Sequence, residues 1–274
     1  MYDRILVPLD GSRFSQEMLP YAAGLATGLD IPLVLLRLVS KASEQGEATG
    51  YVENLAAAHG AQGLCSVAGG DVADAILAEA ERVPGTLVAM TSHGRSGLLE
   101  AMLGSVALRV VRGRNGAPVL VYRPTGAAAA ERPAVKIDRV VLALDGTEVS
   151  EGMAPQAAEL ARRLDAELML VVVIDPKTTK GGDMPGSAMM KGLESGYVRS
   201  NARDFASRFG VRVNWEVLHG DPAESIASFV GGRPGSMLAM TTRGRSALET
   251  ALLGSVTAGC LRNAGVPVLM RMPE

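Results

Sequence analysis

Ile5-Leu6-Val7-Pro8-Leu9-Asp10-Gly11-Ser12 decides the fold, because the chain states it twice. An octet of the same character returns 135 residues later as Val140-Val141-Leu142-Ala143-Leu144-Asp145-Gly146-Thr147. Each is a short apolar run that stops at Asp-Gly and a hydroxyl residue, the pattern of a buried strand entering a turn. Two further segments recur at an offset of 150 residues. Met90-Thr91-Ser92-His93-Gly94-Arg95-Ser96 matches Met240-Thr241-Thr242-Arg243-Gly244-Arg245-Ser246, and Leu103-Gly104-Ser105-Val106 matches Leu253-Gly254-Ser255-Val256. The copies end alike, in Ala117-Pro118-Val119-Leu120-Val121 and Val266-Pro267-Val268-Leu269-Met270. A period of about 140 residues is the size of a whole domain, so the chain reads as two tandem domains and not as a solenoid.

Residues 1–124 and 137–274 are the expected domains, joined by a linker over 125–136 that is Ala-rich from Thr125 to Pro133. The growth of the offset gives copy two about 15 extra residues between its second and third strands. Lys177 to Met190, with two glycine clusters and Pro185, reads as the inserted mobile loop. In copy one, strands are expected near 4–10, 32–39, 62–68, 86–91 and 118–122. Between the first two, Met18, Leu19, Ala22, Leu25, Ala26 and Leu29 form an apolar stripe at helical spacing. Apolar strands alternating with helices argue a parallel sheet covered on both faces. The expected fold is therefore α/β, with two tandem doubly wound five-stranded parallel-sheet domains of Rossmann-like type.

Composition excludes several functions. Hydrophobic residues make up 47% of the 274, with mean hydropathy +0.19, which is enough to build a core and excludes global disorder. A formal charge of −2 leaves no basic excess for a nucleic-acid backbone. The aromatics, one Trp, five Tyr and four Phe, are too few for a base-stacking platform. Cys65 and Cys260 are not a disulfide framework, and His59, His93 and His219 do not join them at zinc spacing. No signal peptide opens the chain, and the longest clean apolar run, Leu168 to Ile174, suits a strand and not a membrane span. A cytoplasmic protein without membrane contact is the expectation.

Open parallel sheets bind ligands at the carboxyl ends of strands where strand order reverses. If strands 1 and 4 flank that point, Asp10-Gly11-Ser12 and the Thr91 to Gly97 segment converge there. Gly94 lets a backbone approach an anion, Arg95 offers a fork of donors and Ser96 a hydroxyl. Ser105 would stand at a helix start, where free amides and the positive dipole end favour phosphate. The plainer reading makes Ser105 an N-cap and Gly94 a simple turn. The ten-residue spacing from Gly94 to Gly104, repeated from Gly244 to Gly254, favours a phosphate site. Asp71 and Asp221 read as helix caps, Cys65 and Cys260 as packing residues, and Asp10 either as a turn cap or as a ligand residue.

These residues resemble a tandem universal stress protein over nearly the whole chain, twice. The strand ending in Asp10, the Ser-His-Gly-Arg-Ser-Gly loop, Gly104-Ser105 and the terminal Pro-Val-Leu-Val carry the likeness. The resemblance implies a fold of the adenine nucleotide alpha hydrolase type and, in the ATP-binding branch, ATP as ligand. It implies that Asp10 and Val39 hold base and ribose, with Gly94, Arg95, Ser96, Gly104 and Ser105 around the phosphates. In copy two the matching positions are Asp145, Ile174, Gly244, Arg245, Ser246, Gly254 and Ser255. The chain departs from the motif at Thr91 and Thr241, which stand where its first glycine would; there a Cβ would crowd the ribose, or the hydroxyl would bond it.

The resulting expectation is a stress-response module that binds ATP without fast turnover. The alternative is a universal stress protein that binds no nucleotide and acts through protein contacts. No catalytic residue is assigned: no Gly-x-Ser-x-Gly elbow, Walker P-loop or Gly-x-Gly-x-x-Gly occurs, and His93 aligns with Arg243. The two domains are expected to form an intramolecular pseudo-dimer through their apolar closing strands, with a homodimer and a bridging divalent metal left open.

Overall fold

The computed structural model describes residues 2–93, 103–114, 117–126, 132–175, 187–233, 235–242 and 253–273, with 187–195 described by backbone alone. It divides into two compact units, Met1–Lys136 with Leu269–Met272, and Ile137–Val268.

The first unit runs β1 (Arg4–Leu9), α1 (Arg13–Gln16), α2 (Leu19–Leu29), β2 (Leu33–Val39), α3 (Gln45–His59), β3 (Gln62–Val67), α4 (Val72–Glu81), β4 (Thr86–Thr91), α5 (Ser105–Gly113) and β5 (Val119–Tyr122). Its strands lie in the order β3-β2-β1-β4-β5, every neighbour parallel. Ile5, Leu6 and Val7 are consecutive in β1 and all fully buried. Successive strand side chains point to opposite faces, so both faces of the sheet are covered. Met18, Leu19, Ala22, Leu25, Ala26 and Leu29 are all buried, as their spacing requires. The chain builds outward from β1 to β3 and then returns to β4 on the other side of β1, which places the topological switch between β1 and β4.

The second unit repeats the plan with β6 (Arg139–Leu144), α6 (Glu148–Glu151), α7 (Ala154–Arg163), β7 (Glu167–Ile174), α8 (Ser187–Phe209), β8 (Val213–His219), α9 (Pro222–Gly231), β9 (Ser236–Thr241) and α10 (Ser255–Asn263), followed by β10 (Val268–Arg271). β6 lies between β9 and β7, with β8 beyond β7, all parallel. The insertion is not only a loop. Ser187 to Met190 belong to α8, which has 23 residues against 15 in α3. The glycine clusters and Pro185 suggest loop, but Ala188, Met189, Met190, Lys191 and Leu193 are strong helix formers and carry the helix back to Ser187. Residues 177–186 of the expected loop lie outside the described residues.

At the amino ends of the strands, each unit buries an arginine, by different means. Arg4 Nη1 meets the Glu79 carboxylate at 3.1 Å and Nε donates to the Thr86 hydroxyl at 2.8 Å. In the second unit Phe229 stands where Glu79 would, its ring 5.3 Å from the Arg139 guanidinium. Arg139 Nε donates instead to Glu167 at 2.9 Å, from the first residue of β7. Its Nη1 and the Ser236 hydroxyl are buried without a hydrogen-bond partner among the described residues.

The segment that follows copy one is tied to its own unit. The Glu17 carboxylate, 2% exposed, accepts from the Thr125 and Gly126 amides, both at 2.8 Å. The Val135 amide donates to the Pro20 carbonyl at 2.8 Å. Gly24 of α2 lies under the Val135 carbonyl so closely that a Cβ would overlap it.

Candidate functional site

The carboxyl ends of β1 and β4 gather most of the described residues that the sequence singles out. Asp10 follows β1 and accepts from the Ser12 amide at 2.9 Å through Oδ1. Gly11 between them has φ 84°, a left-handed conformation that favours glycine. Ser12 then caps α1, its hydroxyl accepting from the Ser15 amide at 3.3 Å. Copy two repeats each step. Asp145 Oδ1 accepts from the Thr147 amide at 3.1 Å and hydroxyl at 2.6 Å, Gly146 has φ 81°, and Thr147 caps α6. Asp-Gly-Ser/Thr is therefore turn chemistry in both copies, with a partly exposed carboxylate at the sheet edge.

β4 ends in Thr91, 7% exposed, whose hydroxyl donates to the His93 carbonyl at 2.9 Å. That hydroxyl is committed inside its own loop, and Thr241, which ends β9, is buried likewise. Ser92 Oγ and His93 Nδ1 lie 2.8 Å apart, with the donor set by the imidazole tautomer. Gly94, Arg95, Ser96, Gly244, Arg245 and Ser246 lie outside the described residues.

The chain re-enters at the start of α5. The Gly104 amide donates to the Ser92 carbonyl at 2.7 Å, and the Gly254 amide to the Thr242 carbonyl at the same distance. Gly104, with φ −65° and ψ 159°, is itself the N-cap of α5, and Gly254 is the N-cap of α10. The plainer of the two readings, Ser105 as N-cap, does not hold, and the helix starts at Ser105 as the other places it. Ser105 and Ser255 are the first helical residues, both exposed. Neither glycine supplies a side-chain acceptor, so among the described residues the first amides of both helices have no side-chain cap, and each helix presents its positive dipole end at the sheet edge. A Cβ at Gly104 would stand 3.1 Å from the Ser92 carbonyl oxygen.

Val39, on the other side of Asp10, ends β2; its carbonyl accepts from the Ala68 amide at 2.8 Å, as that of Ile174 accepts from Gly220 at 3.0 Å. The structure thus brings Asp10, Thr91, Gly104 and Ser105 to one switch point, with Val39 one strand away. One side chain there escapes the sequence reading. Arg37 Nη1 donates to the Leu38 carbonyl at 2.7 Å and lies 3.5 Å from that of Leu9. Its counterpart in copy two is Val172, so no repeated signal marks it.

The remaining candidates are structural. Asp71 caps α4 by accepting from the Ala73 and Asp74 amides, and Asp221 caps α9 in the same way. Cys260 is buried, and burial, with Asp221 nearby, pushes its thiol up to about 12. Cys65 is half-buried on β3. Among the described residues no group of His, Cys, Asp and Glu could hold a metal ion, and no helix is long and apolar enough to cross a membrane.

Known proteins carry the same pattern. The model of the universal stress protein family matches residues 1–123 and again 136–270. A universal stress protein of Methanocaldococcus jannaschii is 31% identical over 136 residues, which cover 48% of this chain and 80% of that protein. One from Mycobacterium tuberculosis is 29% identical over 186 residues, 67% of this chain and 61% of its own length. The crystal structure of a universal stress protein from Archaeoglobus fulgidus shares the fold with a TM-score of 0.65 over 99% of both chains, at 20% identity.

Proposed function

This chain belongs to the universal stress protein family, and on that premise we propose that it is a stress-response module binding ATP at the switch point of each domain. One observation carries the reading. Two helices of nine residues, α5 and α10, start at the switch edge from a glycine cap pinned to the preceding strand end, each with an exposed serine in its first position. A helix start with free amides, a glycine clearance and a hydroxyl suits phosphate oxygens, and its recurrence in both copies marks it as a built feature. Asp10 and Val39, with Asp145 and Ile174, would hold base and ribose. Gly94, Arg95, Ser96, Gly104 and Ser105, with Gly244, Arg245, Ser246, Gly254 and Ser255, would surround the phosphates. Thr91 and Thr241 would back the loop from beneath.

No nucleophile–base pair recurs in both copies, so the module holds its nucleotide instead of turning it over rapidly. Its compartment is the cytoplasm, and its two domains pair within one chain. The decisive test is mass spectrometry of protein purified without added nucleotide and then denatured, followed by calorimetric titration with ATP, with and without magnesium. A copurifying adenine nucleotide, or saturable heat, supports the reading. Neither would pass the function to protein contacts. Small-angle scattering of the full chain tests the pairing, which two domains separated by solvent would refute.

A further inference from the structure

Arg37 distinguishes the two candidate sites, and the distinction lies at their sugar ends. Its Cα partner across the sheet is Leu9, the last residue of β1, and Asp10 follows directly. Its Nη1 donates to the Leu38 carbonyl at 2.7 Å and lies 3.5 Å from the Leu9 carbonyl. Those carbonyls belong to the peptides that lead into Val39 and Asp10. One guanidinium thus bridges the main chain behind both residues proposed for the base and ribose. Only Nη1 is engaged by described residues, and Arg37 is half-buried, so Nε and Nη2 keep their donor capacity.

Copy two carries no such group at the matching register position. Val172 faces Leu144 in the same register and is buried and apolar. At this register position the two sites therefore differ by one full positive charge, and that charge stands on the far side of β1 from the β4 and α5 edge. A partly desolvated guanidinium is a planar fork matched to a phosphate, and it gains little from a neutral sugar hydroxyl.

We propose, resting on the nucleotide reading above, that Arg37 is a specificity-determining residue that makes the first site prefer an adenine nucleotide carrying a further phosphate on a secondary ribose hydroxyl. The second site, with Val172, does not make this distinction. Calorimetric titration of the full chain with AMP and with adenosine 3′,5′-bisphosphate tests it, since the two probes differ only in the 3′-phosphate. The wild-type chain is expected to bind the bisphosphate about tenfold more tightly than AMP at one of two sites, with a steeper salt dependence there. Arg37→Met keeps the length of the side chain and removes its charge; it should abolish the preference while AMP binding and the circular dichroism spectrum persist. Arg37→Lys should restore part of the preference, which a purely structural role for the side chain would not require. Binding of both nucleotides with no preference in the wild-type chain, or a preference that survives in Arg37→Met, overturns the assignment and leaves the nucleotide reading standing. Absence of binding by either nucleotide to the wild-type chain overturns both.

Discussion

Gly104 relieves a tight contact before any ligand arrives. Its cap geometry is open to other residues, but a Cβ would press on the carbonyl of buried Ser92 at 3.1 Å. Gly104→Ala should therefore cost about 1 kcal/mol of stability, read from urea denaturation. The Gly104→Glu, Gly254→Glu double variant adds bulk and like charge where phosphates are proposed, and calorimetry should find no ATP binding while circular dichroism retains the fold. Arg95→Ala with Arg245→Ala should weaken binding by about tenfold, a factor of 1.4 kcal/mol. Equal losses in the two double variants would show that the arginines and not the main chain dominate. Glu167 sets a pH dependence. Burial alone would raise its carboxyl, but hydrogen bonds from Asn214 and Arg139 and the charges of Arg139 and Arg233 outweigh burial and hold it below the ordinary range. A depressed value means that its contribution is present above the unfolded pKa of about 4.3 and fades as pH falls through the folded one. Glu167→Gln should therefore lower the denaturation midpoint at pH 7 and narrow the gap to wild type near pH 3.

Among the elements, the start of α2 is tied to the described ends of the linker, Thr125–Gly126 and Val135. Glu17 takes the Thr125 and Gly126 amides, Pro20 takes Val135, and Gly24 provides the clearance. Glu17→Ala removes a buried carboxylate that accepts from main-chain amides and should destabilise the first unit by about 2 kcal/mol. Limited proteolysis should then cut within 125–136 sooner than in the wild type; an unchanged cleavage rate would show that the anchoring carries no weight. The sequence made the elements legible because their signals are local or repeated. The buried stripe of α2, the Asp71 and Asp221 caps and the doubled Asp-Gly turns all follow from neighbours within a few residues. What stayed hidden depends on distant partners. Glu17 meets residues 108 and 109 positions away, and its place in copy two is Gly152. Arg37 is a lone charge in an apolar strand, which periodicity treats as noise. The sequence places Ser105 at a helix start, as the structure has it, but only the pinned Gly104 amide shows that the cap is the glycine and not the serine.

For the molecule as a whole, a sequence in which no nucleophile–base pair recurs predicts turnover well below the roughly 10 s⁻¹ of a median enzyme. A steady-state ATPase assay checks it, and brisk metal-dependent hydrolysis abolished by one substitution would contradict it. The pair of glycine-capped helix starts is the feature that duplication kept; the supports beneath have drifted apart. Arg4 is answered by Glu79 from α4, with Pro32 at the first position opposite it, whereas Arg139 is answered by Glu167 from β7, with Phe229 on the helix. A graft that exchanges residues 72–91 for 222–241 would therefore be unequal in its two products. The first unit would hold a buried cation facing Phe and Pro with no acid, at a cost of about 3 kcal/mol, and the second would crowd two carboxylates around one guanidinium. The halves of this chain have ceased to be templates for each other, and recombination between them would damage the copy it was meant to restore.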